Sequence, residues 1–341
     1  MTDSTTVSVP TVATLVALGV ERLTVAGSGS PRLDTELLLA QLLGTDRTGI
    51  LAAPEALVGG GPREAFEAAI GRRELGEPIA YIRGFREFHG LVFATDERAL
   101  IPRPETELLV DAALDVIGGR LTAAPRPDGT WPLRVADVGT GSGAIAVALV
   151  VALRRRKMAD QVLVDASDVS ADALQLAREN AAGHGVADRM DFVLRDLLPE
   201  LVQPPYTVIC ANLPYVATGD LAGLVKDLAF EPRAALDGGP DGLDLVRRLL
   251  DRLPGALAAD GVALLEIGAD QGEAVVREVA SRLPGWRCVV TADLAGLPRL
   301  ARIAPAPAGD ADTDTVSAAD TASAAGSAAD AGSAADAGSR A

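Results

Sequence analysis

The chain has 341 residues, 48% of them hydrophobic, enough for one large domain with a small one beside it. Its net charge of −16 opposes a phosphate backbone and argues against general nucleic-acid binding. No apolar run reaches the roughly 18 residues of a membrane span, and two cysteines with two histidines, widely scattered, are too few for a zinc site.

Residues 1–83 read as a helical section suited to docking a substrate. Thr11 to Leu23 is apolar but short, without the basic segment or small-residue cleavage site of a signal peptide. Leu37, Leu38, Leu39, Leu42 and Leu43 follow the acidic Asp34 and Glu36, and Gly44 supplies a stop signal. A second helix is predicted from Pro62 through Phe66 and Ile70 to Arg73. Over residues 84–100, Phe85, Phe88, Leu91 and Phe93 around Gly84 and Gly90 predict a β-hairpin linker.

Residues 101–305 alternate strand and helix. Strands are predicted at 133–138, 161–167, 191–194, 207–211 and 261–267. Helices are predicted at 143–153, 171–183, near 241–253 and 271–283, with a closing hairpin at 286–291 and 299–304. Such alternation predicts an α/β fold with a doubly wound, Rossmann-like, mainly parallel sheet. From 306 to 341 the chain is mostly Ala, Gly, Ser and Asp, and this acidic tail is expected to stay disordered. Six aspartates lie beyond residue 309, offset by Arg340, so the remainder still carries −11. The basic run Arg154-Arg155-Arg156-Lys157 falls where a helix ends and suits its dipole.

Asp137-Val138-Gly139-Thr140-Gly141-Ser142-Gly143 follows the first of these strands. Its alternating glycines allow a tight turn and close approach of a ligand to the backbone. The spacing is neither the dinucleotide fingerprint nor the phosphate loop. The next strand ends in Asp165-Ala166-Ser167-Asp168. Asp168, directly before a helix, is better placed than Asp165 to accept hydrogen bonds from a ribose diol, although either could cap that helix. Asp196 and Leu197, closing the third strand, could read an adenine edge. Together, this glycine loop and these strand-end acids resemble class I S-adenosylmethionine methyltransferases, which implies S-adenosyl-L-methionine as cofactor.

The fourth strand runs into Asn212-Leu213-Pro214-Tyr215, where ligands sit in such sheets. An amide or exocyclic amine is a poor nucleophile because its lone pair is delocalised. The Asn212 side-chain carbonyl and the Leu213 backbone carbonyl could each accept one N–H of the target, while Pro214 stiffens the loop and Tyr215 offers a face for stacking. The tetrapeptide resembles the Asn-Pro-Pro-Tyr signature of methyltransferases acting on planar nitrogens, with Leu213 in place of the first proline. It also looks like the signature of ribosomal RNA adenine dimethyltransferases, so N6-adenine methylation of RNA or DNA remains an alternative.

Segments outside the tetrapeptide select the family. Gly76-Glu77-Pro78-Ile79-Ala80-Tyr81-Ile82, Ile101-Pro102-Arg103-Pro104-Glu105-Thr106-Glu107, Phe230-Glu231-Pro232-Arg233, Gly238-Gly239-Pro240-Asp241-Gly242-Leu243 and Glu266-Ile267-Gly268 with Gln271 are similar to the peptide chain release factor glutamine N5-methyltransferases. That resemblance implies a cytoplasmic, monomeric enzyme. It would methylate the glutamine of the Gly-Gly-Gln loop in class I release factors and need no metal, membrane or direct nucleic-acid contact. By position, Gly139 to Gly143, Asp168, Asp196, Leu197 and Asn212 would meet the cofactor, and Asn212 to Tyr215 the glutamine, with Asn212, Pro214 and Tyr215 as catalytic residues. Leu197 stands where the family commonly has an aromatic residue. Arg103 and Glu105 could form an interdomain salt bridge or touch the cofactor.

Overall fold

The structure, a computed structural model, describes residues 9–123, 133–223 and 226–307. The tail expected to be disordered lies almost wholly outside them. Five helices open the chain: α1 (Val12–Val25), α2 (Pro31–Leu42), α3 (Arg47–Ala52), α4 (Gly60–Glu74) and α5 (Ile79–Arg83). The Thr11 hydroxyl caps α1 by accepting from Thr14 N, and Pro31 opens α2 where a missing N–H costs nothing. Leu15, Leu23, Leu39, Phe66 and Ile70 meet in a separate small core. The two acidic residues of α2 are both buried. Asp34 is buried against Arg73 at 2.8 Å, and Glu36 is buried between Arg32 and Arg47.

A two-stranded antiparallel hairpin follows, β1 (Phe85–Phe88) with β2 (Leu91–Ala94). Then come a 3-10 turn (Pro104–Thr106), α6 (Glu107–Thr122), β3 (Leu133–Val138), α7 (Ala144–Arg155), β4 (Val162–Asp168) and α8 (Ala171–Gly183). The chain continues through β5 (Met190–Leu194), β6 (Tyr206–Ala211), α9 (Asp244–Leu250), α10 (Leu253–Ala256), β7 (Leu257–Glu266), α11 (Gly272–Arg282), β8 (Trp286–Ala292) and β9 (Pro298–Pro305). The single helix expected near 241–253 is broken in two. In a continuous helix the Pro254 ring would clash with the carbonyl four residues back, at Leu250, which is where α9 stops.

The large sheet has the order β5-β4-β3-β6-β7-β9-β8. The first five strands are parallel, and the last two run antiparallel as a terminal hairpin. Every residue of β6 is buried, as expected of a central strand covered on both faces. Val135, Val208, Cys210 and Leu264 face a core completed by α6 and α7. Their neighbours Ala136, Ile209, Ala211 and Leu265 face one completed by α9, α10 and α11. The chain winds outward from β3 through β4 to β5 and then returns to place β6 on the other side of β3. The carboxyl ends of β3 and β6 therefore border the crevice where such sheets receive ligands. Helices, hairpin and sheet belong to one unit that ends at Pro305. No helix among the described residues is long and apolar enough to cross a membrane.

Candidate active site

A cavity of about 650 Å³ opens over the ends of β3, β4, β5 and β6. The loop after β3 forms one wall, with Gly139, Gly141 and Gly143 all in the left-handed region, at φ +71°, +55° and +80°. Two N–H groups, of Gly139 and Thr140, donate to Ser167 O at 2.8 and 2.9 Å, which binds the loop to the end of β4. Beneath it, Asp137 Oδ2 accepts from the Thr140 hydroxyl at 2.7 Å and from Ala146 N at 3.2 Å. Asp137 is wholly buried, and burial pushes its carboxyl up to about 6. Its other oxygen has no hydrogen-bond partner among the described residues. The glycines differ in task. A side chain on Gly141 would meet only Ala99, at 3.9 Å, so its backbone faces open space, whereas one on Gly143 would press on Ala177 of α8 at 3.1 Å. Gly143 lets α7 and α8 pack closely and lies off the cavity wall.

Asp168 stands on that wall. Its Oδ2 accepts from Gly141 N and its Oδ1 from Ser170 N, both at 2.9 Å, and Ser170 in turn caps α8. Each oxygen keeps a further lone pair for a ligand. Asp165 is turned elsewhere, accepting from Arg134 and from the Tyr206 hydroxyl. Asp196 and Leu197 also line the cavity. Asp196 pairs with Arg248 at 2.5 Å, and Leu197 holds φ +57°, an uncommon conformation for a branched side chain.

On the opposite wall, β6 delivers Asn212, Leu213 and Pro214. The Asn212 Nδ2 donates to Thr106 Oγ1 at 3.1 Å. Tyr215 follows directly but is not among the residues that line this cavity. Its carbonyl accepts from Gln271 Nε2 at 2.9 Å, and burial raises its hydroxyl pKa. The chain from Tyr215 onward is held by a second strand of loop, since Val216 N donates to Leu236 O and Gly238 N to Val216 O. Gly242 is required there. Any Cβ would lie 2.2 Å from Tyr215 O, and the residue sits at φ +75°. Arg103 lines the cavity and pairs with Glu231, whose second oxygen accepts from Ile101 N at 3.0 Å, whereas Glu105 is exposed. Reading the chain alone missed Asp137, Thr106, Glu266 and Gln271 as supports of these two walls. Three of the four lie in motifs quoted for the resemblance, and Asp137 opens the glycine loop. No cluster of His, Cys, Asp and Glu among the described residues could hold a metal ion. Cys210 is fully buried, which pushes its thiol well above the usual range and leaves it inert.

Residues 14–84 match the PrmC N-terminal domain, and residues 125–239 match the Methyltransferase small domain. The Release factor glutamine methyltransferase of Moorella thermoacetica is 40% identical over 273 residues, which cover 80% of this chain and 90% of that protein. Its counterpart from Rhodopirellula baltica is 37% identical over 278 residues, covering 80% and 89%. A crystal structure of the protein-(glutamine-N5) methyltransferase (release factor-specific) from Alicyclobacillus acidocaldarius is 30% identical, covers 63% of this chain and 100% of that one, and has a TM-score of 0.36. A glycine loop and the segment of Asn212, Leu213 and Pro214 face each other across one cavity, in a sequence that holds 40% identity along 90% of a relative's length. On these grounds the chain belongs to the release factor glutamine methyltransferase family.

Proposed function

We propose that this protein transfers the methyl group of S-adenosyl-L-methionine to the side-chain amide nitrogen, N5, of the Gly-Gly-Gln glutamine in class I peptide chain release factors. The observation that carries the reading is the pairing, across one cavity, of the Gly139–Asp168 wall with the Asn212–Pro214 wall. The residues present suit the cofactor. Gly141 leaves an open backbone cradle, and Asp168 keeps acceptor capacity for a diol. We assign the adenine base to Asp196 and Leu197, which line the same cavity. When bound, S-adenosylmethionine supplies a methyl group on a positively charged sulfur.

The chain itself positions the nucleophile. The glutamine amide resists alkylation because its lone pair is shared with the carbonyl. Asn212 Oδ1 and Leu213 O accept its two N–H groups, fix the nitrogen, and bind more strongly as positive charge develops there. No side chain is assigned as a base, because an alkylated amide nitrogen is strongly acidic and loses its proton to water or a nearby carbonyl. Nucleic acid is disfavoured as substrate by the overall charge of −16. The test is labelled-methyl transfer offered in parallel to a release factor, its Gln→Ala variant and RNA. Label entering only the unmodified release factor supports the reading, and label in RNA or in the Gln→Ala variant refutes it. In the same assay Asn212→Ala is expected to lower kcat about 100-fold, as loss of a transition-state hydrogen-bond partner does.

A further inference from the structure

The Asn212 carboxamide can turn two ways about its terminal bond, and only one presents its oxygen to the cavity. Thr106, backed by Glu266, decides between them. Its hydroxyl donates to Glu266 Oε2 at 2.6 Å and lies 3.1 Å from Asn212 Nδ2. Thr106 and Glu266 are 4% and 3% exposed, so water cannot readily substitute for either partner. A hydroxyl has one proton and an ionised carboxylate has none. Once that proton is committed to Glu266, Thr106 can offer Asn212 only a lone pair. The amide nitrogen must then face Thr106, and Oδ1 must face the other way. Reversed, Oδ1 would meet an oxygen with no proton to give, and the NH2 group would confront the N–H groups of the target. Burial raises the Glu266 carboxyl above its ordinary value, while the Thr106 hydrogen bond, the Arg299 guanidinium and a hydrogen bond from the Asn212 side chain pull it back toward ionisation, so the carboxylate too draws the amide nitrogen to this side.

The three residues come from distant parts of the chain. Thr106 ends the turn before α6, Asn212 follows β6 and Glu266 closes β7, the neighbour of β6 in the sheet. A buried carboxylate at a strand end is costly unless paired and hydrogen-bonded. Here its hydroxyl donor is Thr106, the same group that meets the Asn212 amide.

We propose that Thr106 and Glu266 are positioning residues for methyl transfer, and that their hydrogen-bond polarity locks the Asn212 carboxamide with its oxygen toward the target amide. This rests on the assignment of Asn212 as the acceptor of the target N–H. Thr106→Val keeps the shape and removes the hydroxyl. Glu266→Gln keeps the volume but can turn an N–H toward Thr106, which frees the hydroxyl to donate to Oδ1 and reverses the amide. Each is expected to lower kcat about tenfold, the effect of one hydrogen bond, with cofactor Kd changed by less than about twofold. Thr106→Ser, which keeps the hydroxyl, should recover most of the loss.

The assay is single-turnover methyl transfer to a release factor, with titration calorimetry for cofactor affinity and a melting curve for each variant. A Thr106→Val enzyme with undiminished kcat overturns the proposal. So does a Thr106→Ser enzyme as impaired as Thr106→Val, or a loss of cofactor affinity that matches the loss of kcat. Asn212→Ala run alongside separates the two levels. If it is impaired while Thr106→Val is not, the lock is wrong and the acceptor stands. If it too retains kcat, both fall.

Discussion

Asp168 is the point where loop geometry and ligand binding meet, and its substitution separates them. Each carboxylate oxygen accepts one backbone N–H, from Gly141 and from Ser170, at 2.9 Å. Asp168→Ala removes the anchor that holds Gly141 beside the cavity and the charged acceptor proposed for the ribose diol. One hydrogen bond to a charged group contributes about 1.5–3 kcal/mol, so Kd for S-adenosylmethionine should rise roughly ten- to hundredfold. Asp168→Asn looks conservative and is expected to behave almost as badly. Its single oxygen can serve Gly141 or Ser170 but not both, and its NH2 must face the remaining N–H. Asp165→Ala is the control, because Asp165 is occupied by Arg134 and Tyr206 away from the cavity and should affect melting more than affinity. Titration calorimetry decides. Unchanged affinity in Asp168→Ala, or an equal loss in Asp165→Ala, would refute the assignment.

Three further perturbations follow from the same geometry. Gly242→Ala combines a left-handed residue with a Cβ 2.2 Å from Tyr215 O, and should cost about 3 kcal/mol, or roughly 6–12 °C in Tm by calorimetry, with kcat falling as the Asn212 loop shifts. Burial lifts the Asp137 carboxyl from 3.8 to about 6, so its protonated form favours the folded state. The stabilisation, ~3 kcal/mol, is complete below the unfolded value and lost as pH rises through the folded one. Asp137→Asn should therefore flatten the fall in Tm across that window, and parallel profiles would contradict the shift. Arg73→Met strands the 4%-exposed Asp34 without its charge partner and should destabilise by ~3 kcal/mol in urea unfolding, with Asp34→Asn recovering part of the loss in the double variant.

The repeating alternation of strand and helix was legible because each strand is a short apolar run bounded by Gly, Pro or Asp. The predicted 133–138 and 171–183 coincide with β3 and α8. The strand ends that carry Gly139, Asp168 and Asn212 could be located for the same reason. What could not be read locally were partnerships over long separations. Thr106 and Glu266 are 160 residues apart, and nothing near either predicts that one proton joins them. Arg73 marks the end of a predicted helix in sequence, yet it is buried between Asp34 and Asp227, which lies 154 residues away. The register of the final hairpin was equally invisible, since strands of alternating pattern can pair in either order along a sheet edge.

That hairpin bears on how the chain matures. β9, the last strand among the described residues, sits between β7 and β8 rather than at the rim. During synthesis the edge of β7 waits for a partner that is translated after β8, while β8 until then has no neighbour at all. A chain cut short before Pro298 would leave β7 with an open edge and β8 wholly unpaired, each a template for pairing with another molecule. Nonsense truncations in this short terminal stretch should therefore yield aggregates rather than shortened enzymes, even though they spare every residue that lines the cavity.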